Sequence, residues 1–99
     1  MMNNRKRGSD PGNELYRAIL KLETPEECYA FFQDLCTPTE LKAIEQRYEV
    51  AKMLSTGMIY NDILAKTGAS SATVSRVNRS LLNGNDAYQM IFDRMKEEE

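Results

Sequence analysis

A chain of 99 residues suffices for one domain, but a domain this small buries only about 60–65% of its unfolded surface. The formal charge is −2, which differs from the basic balance that nucleic-acid-binding domains usually carry. Histidine is absent and cysteine occurs twice, which argues against a metal site and against a Cys–His nucleophile. Because no positioned acid–base pair is present either, we expect a protein that is not an enzyme.

The two cysteines, Cys28 and Cys36, fall in an apolar helical pattern, and we expect both to be buried free thiols. The longest uninterrupted apolar runs are a few residues, against the roughly 20 that a bilayer-spanning helix needs. We therefore expect no membrane association, no signal peptide and a cytoplasmic location.

Residues 1–11 are polar and basic, and we interpret them as a mobile N-terminal arm, either a frayed terminus or an extra phosphate-contacting tail. Residues 12–96 are interpreted as a single helical domain. Two signatures mark helix starts within it: Thr24-Pro25-Glu26-Glu27 and Thr37-Pro38-Thr39-Glu40 both have the form of a capping box with proline at the first helical position. No run of alternating strands occurs, so the sequence predicts an all-α fold.

The helix that opens after Thr37 is predicted to reach about Leu54 and is apolar over a wide arc. Leu41, Ile44 and Tyr48 form one stripe, and Val50 lies beside it. A helix that is apolar on more than one side is typical of a larger assembly. We expect a second copy of the chain to cover the apolar surface of this helix, and the alternative is a monomer in which that surface is exposed.

A helix-turn-helix is predicted at about residues 59–82. Gly68 is placed to end a short apolar helix, since glycine adopts a left-handed C-cap at little steric cost. Ser70 follows as a candidate N-cap, because its side-chain oxygen can accept an otherwise unpaired backbone N–H. Two helices this close meet at a steep angle, and this arrangement is used to place a helix in the DNA major groove.

The second helix of this motif has two different sides. At about 100° per residue, Val74, Val77 and Leu81 lie together and are expected to pack in the core. The other side shows Ala72, Ser75, Arg76 and Arg79, with Ser71 and Thr73 at its edges. Hydroxyls can bond to bases or phosphates, and arginines can pair with phosphate or guanine. We interpret this side as a DNA-binding surface, and the alternative is a solvated helix face.

Arg47 and Arg76 have no acidic residue three or four positions away on their own helices. A guanidinium beside apolar surface needs a partner, so an anion or an aromatic face is expected. A salt bridge across the fold or across a dimer, to Glu40, Glu45 or Asp34, is an equally weighted alternative.

These residues resemble the Trp repressor family. The features in matching order are Thr37-Pro38-Thr39-Glu40, Arg47, the run from Gly68 to Arg76, and Ser80-Leu81. The run Arg76-Val77-Asn78-Arg79-Ser80-Leu81 is similar to the short Trp-repressor-like proteins of the YerC/YecD type. The resemblance implies six helices and an intertwined homodimer, in which each subunit presents one recognition helix to successive turns of a near-palindromic operator. The DNA-binding candidates are Tyr60, Asn61, Ser70, Ser71, Ala72, Thr73, Ser75, Arg76 and Arg79.

The resemblance also implies a small-molecule site. Arg47 and Arg76 match two arginines that hold the corepressor indole in the Trp repressor, and Thr37 and Ser80 match other pocket positions. Val77 stands where the repressor has glycine, and its branched side chain can fill the indole space. We therefore expect that tryptophan is not the corepressor, and a different small ligand, or none, stays open.

The sequence thus predicts a homodimeric, sequence-specific regulator that binds double-stranded DNA, in the role of a repressor. The alternative is a helical interaction or dimerisation module that does not read DNA, which the low overall positive charge favours.

Overall fold

The computed structural model describes residues 10–98, and this part of the chain contains six α-helices and no strand. The helices are α1 (Glu14–Ile19), α2 (Pro25–Leu35), α3 (Pro38–Ser55), α4 (Tyr60–Thr67), α5 (Ser71–Asn83) and α6 (Ala87–Lys96). The all-α prediction is confirmed. No helix in residues 10–98 has the length and apolar character that a bilayer crossing requires. Most of the arm predicted for residues 1–11 lies outside the described residues.

The chain divides into two compact units, with the boundary between Pro38 and Thr39. In the first unit, helix α2 begins at the capping signature expected from the sequence. Thr24 Oγ1 accepts the Glu27 N–H at 3.0 Å, and Glu27 Oε1 accepts the N–H of Glu23 at 2.8 Å. The carboxylate thus returns to the residue before the cap rather than to the cap itself. The Thr24 bond pairs a backbone donor that the first turn leaves unpaired, and the Glu27 bond pairs the N–H of the residue before the cap.

Neither α1 nor α2 contains a buried residue. Cys28 is exposed and Cys36 is half-buried, so the prediction of two buried thiols is wrong for the single chain. Helical spacing correctly predicts which residues of α2 are apolar and share a side, but it does not show whether another surface covers them. Phe31 and Phe32 illustrate the point, because their rings meet edge to face at 6.2 Å and both remain half-buried.

The second unit holds the hydrophobic core. Seven of the described residues are buried: Val50, Ala51, Ile63, Ala69, Val74, Val77 and Phe92. They come from α3, α4, α5, α6 and the turn between α4 and α5, so one cluster joins four helices.

Phe92 is the largest member of this core and is ringed by aromatic and cationic groups. The Tyr48 ring meets it edge to face at 5.5 Å, and the Tyr88 ring stacks at 6.0 Å. Lys52 Nζ lies 4.9 Å from the centre of the Phe92 ring, within cation–π range. These contacts connect α6 to α3.

The wide apolar arc predicted for α3 is covered only in part. Val50 and Ala51 are fully buried, whereas Ile44 is 42% exposed and Tyr48 is 39% exposed. One chain therefore covers only part of the arc and leaves Ile44 and Tyr48 exposed.

A tight connection leads from α5 to α6. Gly84 N–H donates to the Ser80 carbonyl at 2.9 Å and ends α5. A Cβ built on Gly84 would lie 2.5 Å from that same carbonyl oxygen, so the turn has no room for a side chain. Asp86, the residue before α6, has a left-handed φ of 63°.

Candidate nucleic-acid interface

Helices α4 and α5 are separated by three residues, Gly68 to Ser70. Gly68 has a left-handed φ of 72°, and its N–H donates to the Leu64 carbonyl at 2.9 Å. Ser70 is the N-cap of α5, and its Oγ accepts the Thr73 N–H at 3.1 Å. Both capping predictions are confirmed, and they explain why the first helix ends and the second begins within so short a segment.

The turn is fixed by two side chains that sequence reasoning missed. Thr67 Oγ1 donates to the Ile63 carbonyl at 2.7 Å and accepts the Ala69 N–H at 3.1 Å. Gln46 Nε2 donates to the Thr67 carbonyl at 3.2 Å and so ties the turn to α3. The hydrogen bonds of Thr67 could have been predicted, because a threonine just before a C-cap glycine can bond to nearby backbone groups. The bond from Gln46 could not, because nothing in the sequence connects Gln46 with a residue 21 positions away.

Helix α5 is buried on one side and open on the other. Val74 is fully buried and Val77 is 2% exposed, as predicted from their spacing. Ser71, Ala72, Arg76 and Arg79 are exposed, and Thr73 and Ser75 are half-buried. Tyr60 and Asn61 are exposed at the start of α4. Every residue predicted to face DNA therefore has solvent-accessible surface. Ser70 is exposed as well, but its Oγ already accepts the Thr73 N–H in the helix cap.

The cationic end of α5 forms an open depression of about 310 Å³. It is lined by Arg76, Arg79, Ser80, Asn83 and Gly84. Neither arginine makes a hydrogen bond or ion pair with any residue between positions 10 and 98. Two guanidinium groups with free donors beside a hydroxyl and an amide suit an oxyanion, because such donors match the geometry of phosphate or carboxylate oxygens.

Two of the four predicted ligand-binding residues, Arg76 and Ser80, line this depression. Arg47 is exposed on α3, outside that lining, and it has no polar partner among the residues that the structure describes. Thr37 lies in the first unit, on the other side of the unit boundary. The ligand-binding set of Thr37, Arg47, Arg76 and Ser80 stays a prediction.

The geometry defines an all-α protein in which a tight turn joins two helices and the second helix presents a polar, cationic side to solvent. The chain belongs to the Trp repressor family, since the family model described as Trp repressor protein matches residues 12–96. It is 54% identical over 87 residues to the protein YerC of Bacillus subtilis (strain 168), named as uncharacterized, covering 88% of this chain and 84% of that protein.

Two solved structures are similar to this fold. One is a proposed Trp repressor from Staphylococcus aureus, 50% identical, with a TM-score of 0.86 and 96% of each chain covered. The other is a Trp-repressor-like protein from Eubacterium eligens, 49% identical, with a TM-score of 0.85 and coverage of 94% of this chain and 96% of that one.

Proposed function

We propose that the protein is a sequence-specific DNA-binding transcriptional regulator that acts as a repressor. The observation that carries this proposal is the two-sidedness of α5. Val74 and Val77 hold the helix on the core, while Ser71 and Ala72 at its N-terminal end are exposed and small. A helix with a small polar end can approach base edges closely in the major groove. Membership of the Trp repressor family supports the same function.

Different residues have different tasks in this proposal. The hydroxyl and amide groups near the starts of α4 and α5 contact base edges and the adjacent backbone; they belong to Tyr60, Asn61, Ser71, Thr73 and Ser75. Arg76 and Arg79, which have no acidic partner in the described chain, bind phosphate or guanine. From Gly57 to Gly84 the charged residues give a local balance of +2, although the whole chain is acidic. Local charge, rather than net charge, supports DNA binding here.

We further propose that the functional form is a homodimer. Exposed apolar side chains occur in both units, and neither α1 nor α2 contains a fully buried residue within one chain. A second copy would cover such surface, since burial of about 25 cal/mol per Å² favours association. A dimer would also present two copies of α5, and a spacing of about 34 Å would match one turn of DNA.

Arg79→Ala is expected to weaken binding to all DNA sequences by about tenfold and to reduce the salt slope by about one unit per subunit, because each subunit loses one phosphate contact. Fluorescence anisotropy on a preferred genomic fragment and on random DNA, at several salt concentrations, measures both effects. Arg94→Ala is the matched control, since it removes an equal charge from the exposed side of α6.

DNA binding by the native protein, measured in the same way, tests the proposed function as a whole. If it prefers no genomic fragment over bulk DNA, and its affinity does not fall with salt, the DNA-binding proposal is wrong. The fold would then serve as an interaction module.

Tryptophan is expected not to bind the native protein. Val77 is 2% exposed and packed in the core, so the space that a glycine would leave open there is filled. Isothermal titration calorimetry with L-tryptophan should therefore show no binding heat. Val77→Ala, which removes two methyl groups, is the paired variant, and binding only in that variant would identify Val77 as the block. Micromolar affinity for the native chain would contradict the prediction.

A further inference from the structure

We infer that Gln46, on α3, is a positioning residue that sets where the N-terminal end of α5 enters the DNA groove. It acts through the turn between α4 and α5 rather than by a contact to DNA. This inference rests on the proposed function and deepens it. Gln46 contributes to the discrimination between an operator and bulk DNA, and contributes little to the affinity for DNA in general.

The hydrogen bond from Gln46 reaches the end of α4. Gln46 Nε2 donates to the Thr67 carbonyl at 3.2 Å. A backbone carbonyl oxygen can only accept, so the amide nitrogen is the donor in this bond. Thr67 is the last residue of α4, where carbonyls have no partner within the helix. The Gln46 amide therefore binds a helix-end acceptor that the turn would otherwise leave to water.

This bond lies close to the start of α5. Three residues, Gly68 to Ser70, lead from Thr67 to that helix. Thr67 Oγ1 accepts the Ala69 N–H at 3.1 Å, and Ala69 is only 6% exposed, so the connection is both bonded and packed. A shift of Thr67 relative to α3 would therefore also move Ser71, the first residue of α5.

Two kinds of contact hold α5 and its turn in place. Val74 and Val77 pack in the core, but apolar contacts have no direction and permit small changes in the tilt of a helix. A hydrogen bond weakens steeply when its angle departs from the preferred range. The bond from Gln46 therefore restricts the turn to one position on α3 before DNA arrives.

Reading a base sequence requires this restriction more than binding phosphates does. The short side chains of Ser71 and Thr73 reach base edges only if the end of the helix is placed within about 0.5 Å. The long side chain of Arg79 can still reach a phosphate after a small shift, and phosphate contacts carry no sequence information. Loss of the bond should therefore lower the affinity for an operator more than the affinity for random DNA.

The surroundings of this bond allow its effect on position to be separated from an effect on stability. Gln46 and Thr67 are half-buried, and with Lys42, Glu45 and Glu49 they line an open depression of about 220 Å³. Water can reach the Thr67 carbonyl from this depression and replace the amide as its hydrogen-bond donor. A variant without the amide is therefore expected to fold.

Affinities of two variants for specific and for random DNA test the inference. A duplex that the native protein selects from a random pool serves as the operator, and fluorescence anisotropy measures the binding of both DNAs. Gln46→Met keeps the side-chain length and the helix propensity but has no donor. The ratio of operator affinity to random-DNA affinity should fall by about five- to tenfold, while the affinity for random DNA stays within about twofold and the salt slope is unchanged. Gln46→Glu directs an acceptor at the carbonyl, so the ratio should fall at least as far.

Gln89→Met is the matched control. Gln89 is exposed, and its Nε2 donates to Asp93 Oδ1 at 2.8 Å within α6, so this bond joins no two helices. The affinity ratio of this variant should equal that of the native protein. Circular dichroism and urea unfolding check that each variant is folded under the binding conditions.

The outcomes separate this inference from the proposed function. An unchanged affinity ratio in both Gln46 variants would overturn the inference alone. An equal loss of affinity for operator and random DNA would also overturn it, because Gln46 would then have only a structural role. A native protein that prefers no duplex would overturn the proposed function, and this inference with it.

Discussion

Replacing Phe92 with alanine is expected to lower the free energy of unfolding by about 3–5 kcal/mol, the usual cost of emptying a buried aromatic site. Phe92 is 2% exposed and joins α6 to the core. The substitution removes the edge-to-face contact with Tyr48, the stacking with Tyr88 and the cation–π contact with Lys52. Because α3 and α6 meet through this ring, the loss falls on the unit that supports α4 and α5.

Urea unfolding followed by circular dichroism measures this change, with all proteins at the same concentration because the proposed association would contribute to apparent stability. Arg94→Ala, an exposed change on the same helix, should alter the free energy by less than about 0.5 kcal/mol. A cost below about 1 kcal/mol for Phe92→Ala would mean that α6 does not pack on the core through this ring.

Gly84→Ala is expected to destabilise the protein by about 2–3 kcal/mol, because the new Cβ cannot be placed without moving backbone. Its ideal position lies 2.5 Å from the Ser80 carbonyl oxygen and 3.4 Å from the carbonyl carbon. The Gly84 N–H also bonds to that oxygen at 2.9 Å, so relief of the clash would break the bond that ends α5. We expect the depression beside Arg79 and Ser80 to change shape as well, since Gly84 lines it.

A series of glycine-to-alanine variants separates this clash from backbone effects. Gly68→Ala has open space for the new atom but a φ of 72°, and should cost about 1 kcal/mol. At Gly12 the Cβ meets only the flexible Asp10 carboxylate, so Gly12→Ala should lie within about 0.5 kcal/mol of the native protein. Equal costs at positions 68 and 84, measured by urea unfolding, would contradict the steric account.

Local chemistry made the helix boundaries predictable. Thr24, Gly68 and Ser70 act within a few residues of their own positions, so the residue types and their spacing contain most of the needed information. The buried side of α5 was predictable for a similar reason. Val74 and Val77 repeat at helical spacing, and only one side of that helix is apolar enough to pack on a core.

Features that depend on distant partners could not be predicted in the same way. Cys28 lies in an apolar pattern yet is exposed, because burial depends on what packs against α2 and not on α2 itself. The bond from Gln46 to Thr67 joins two helices, and the bond between the Ser70 and Thr73 hydroxyls depends on rotamers. The exposed side of α5 was therefore predictable from the sequence, whereas the hydrogen bonds around it were not.

In the proposed dimer, the first two helices, which contain no buried residue in one chain, would gain much of their hydrophobic stabilisation from the second copy. By mass action, the assembled, more stable population of such a protein rises with its total concentration. In the proposed dimer, dilution would act on operator occupancy twice, through fewer regulators and through a larger unpaired fraction among those that remain. Occupancy would then respond to abundance more steeply than in direct proportion.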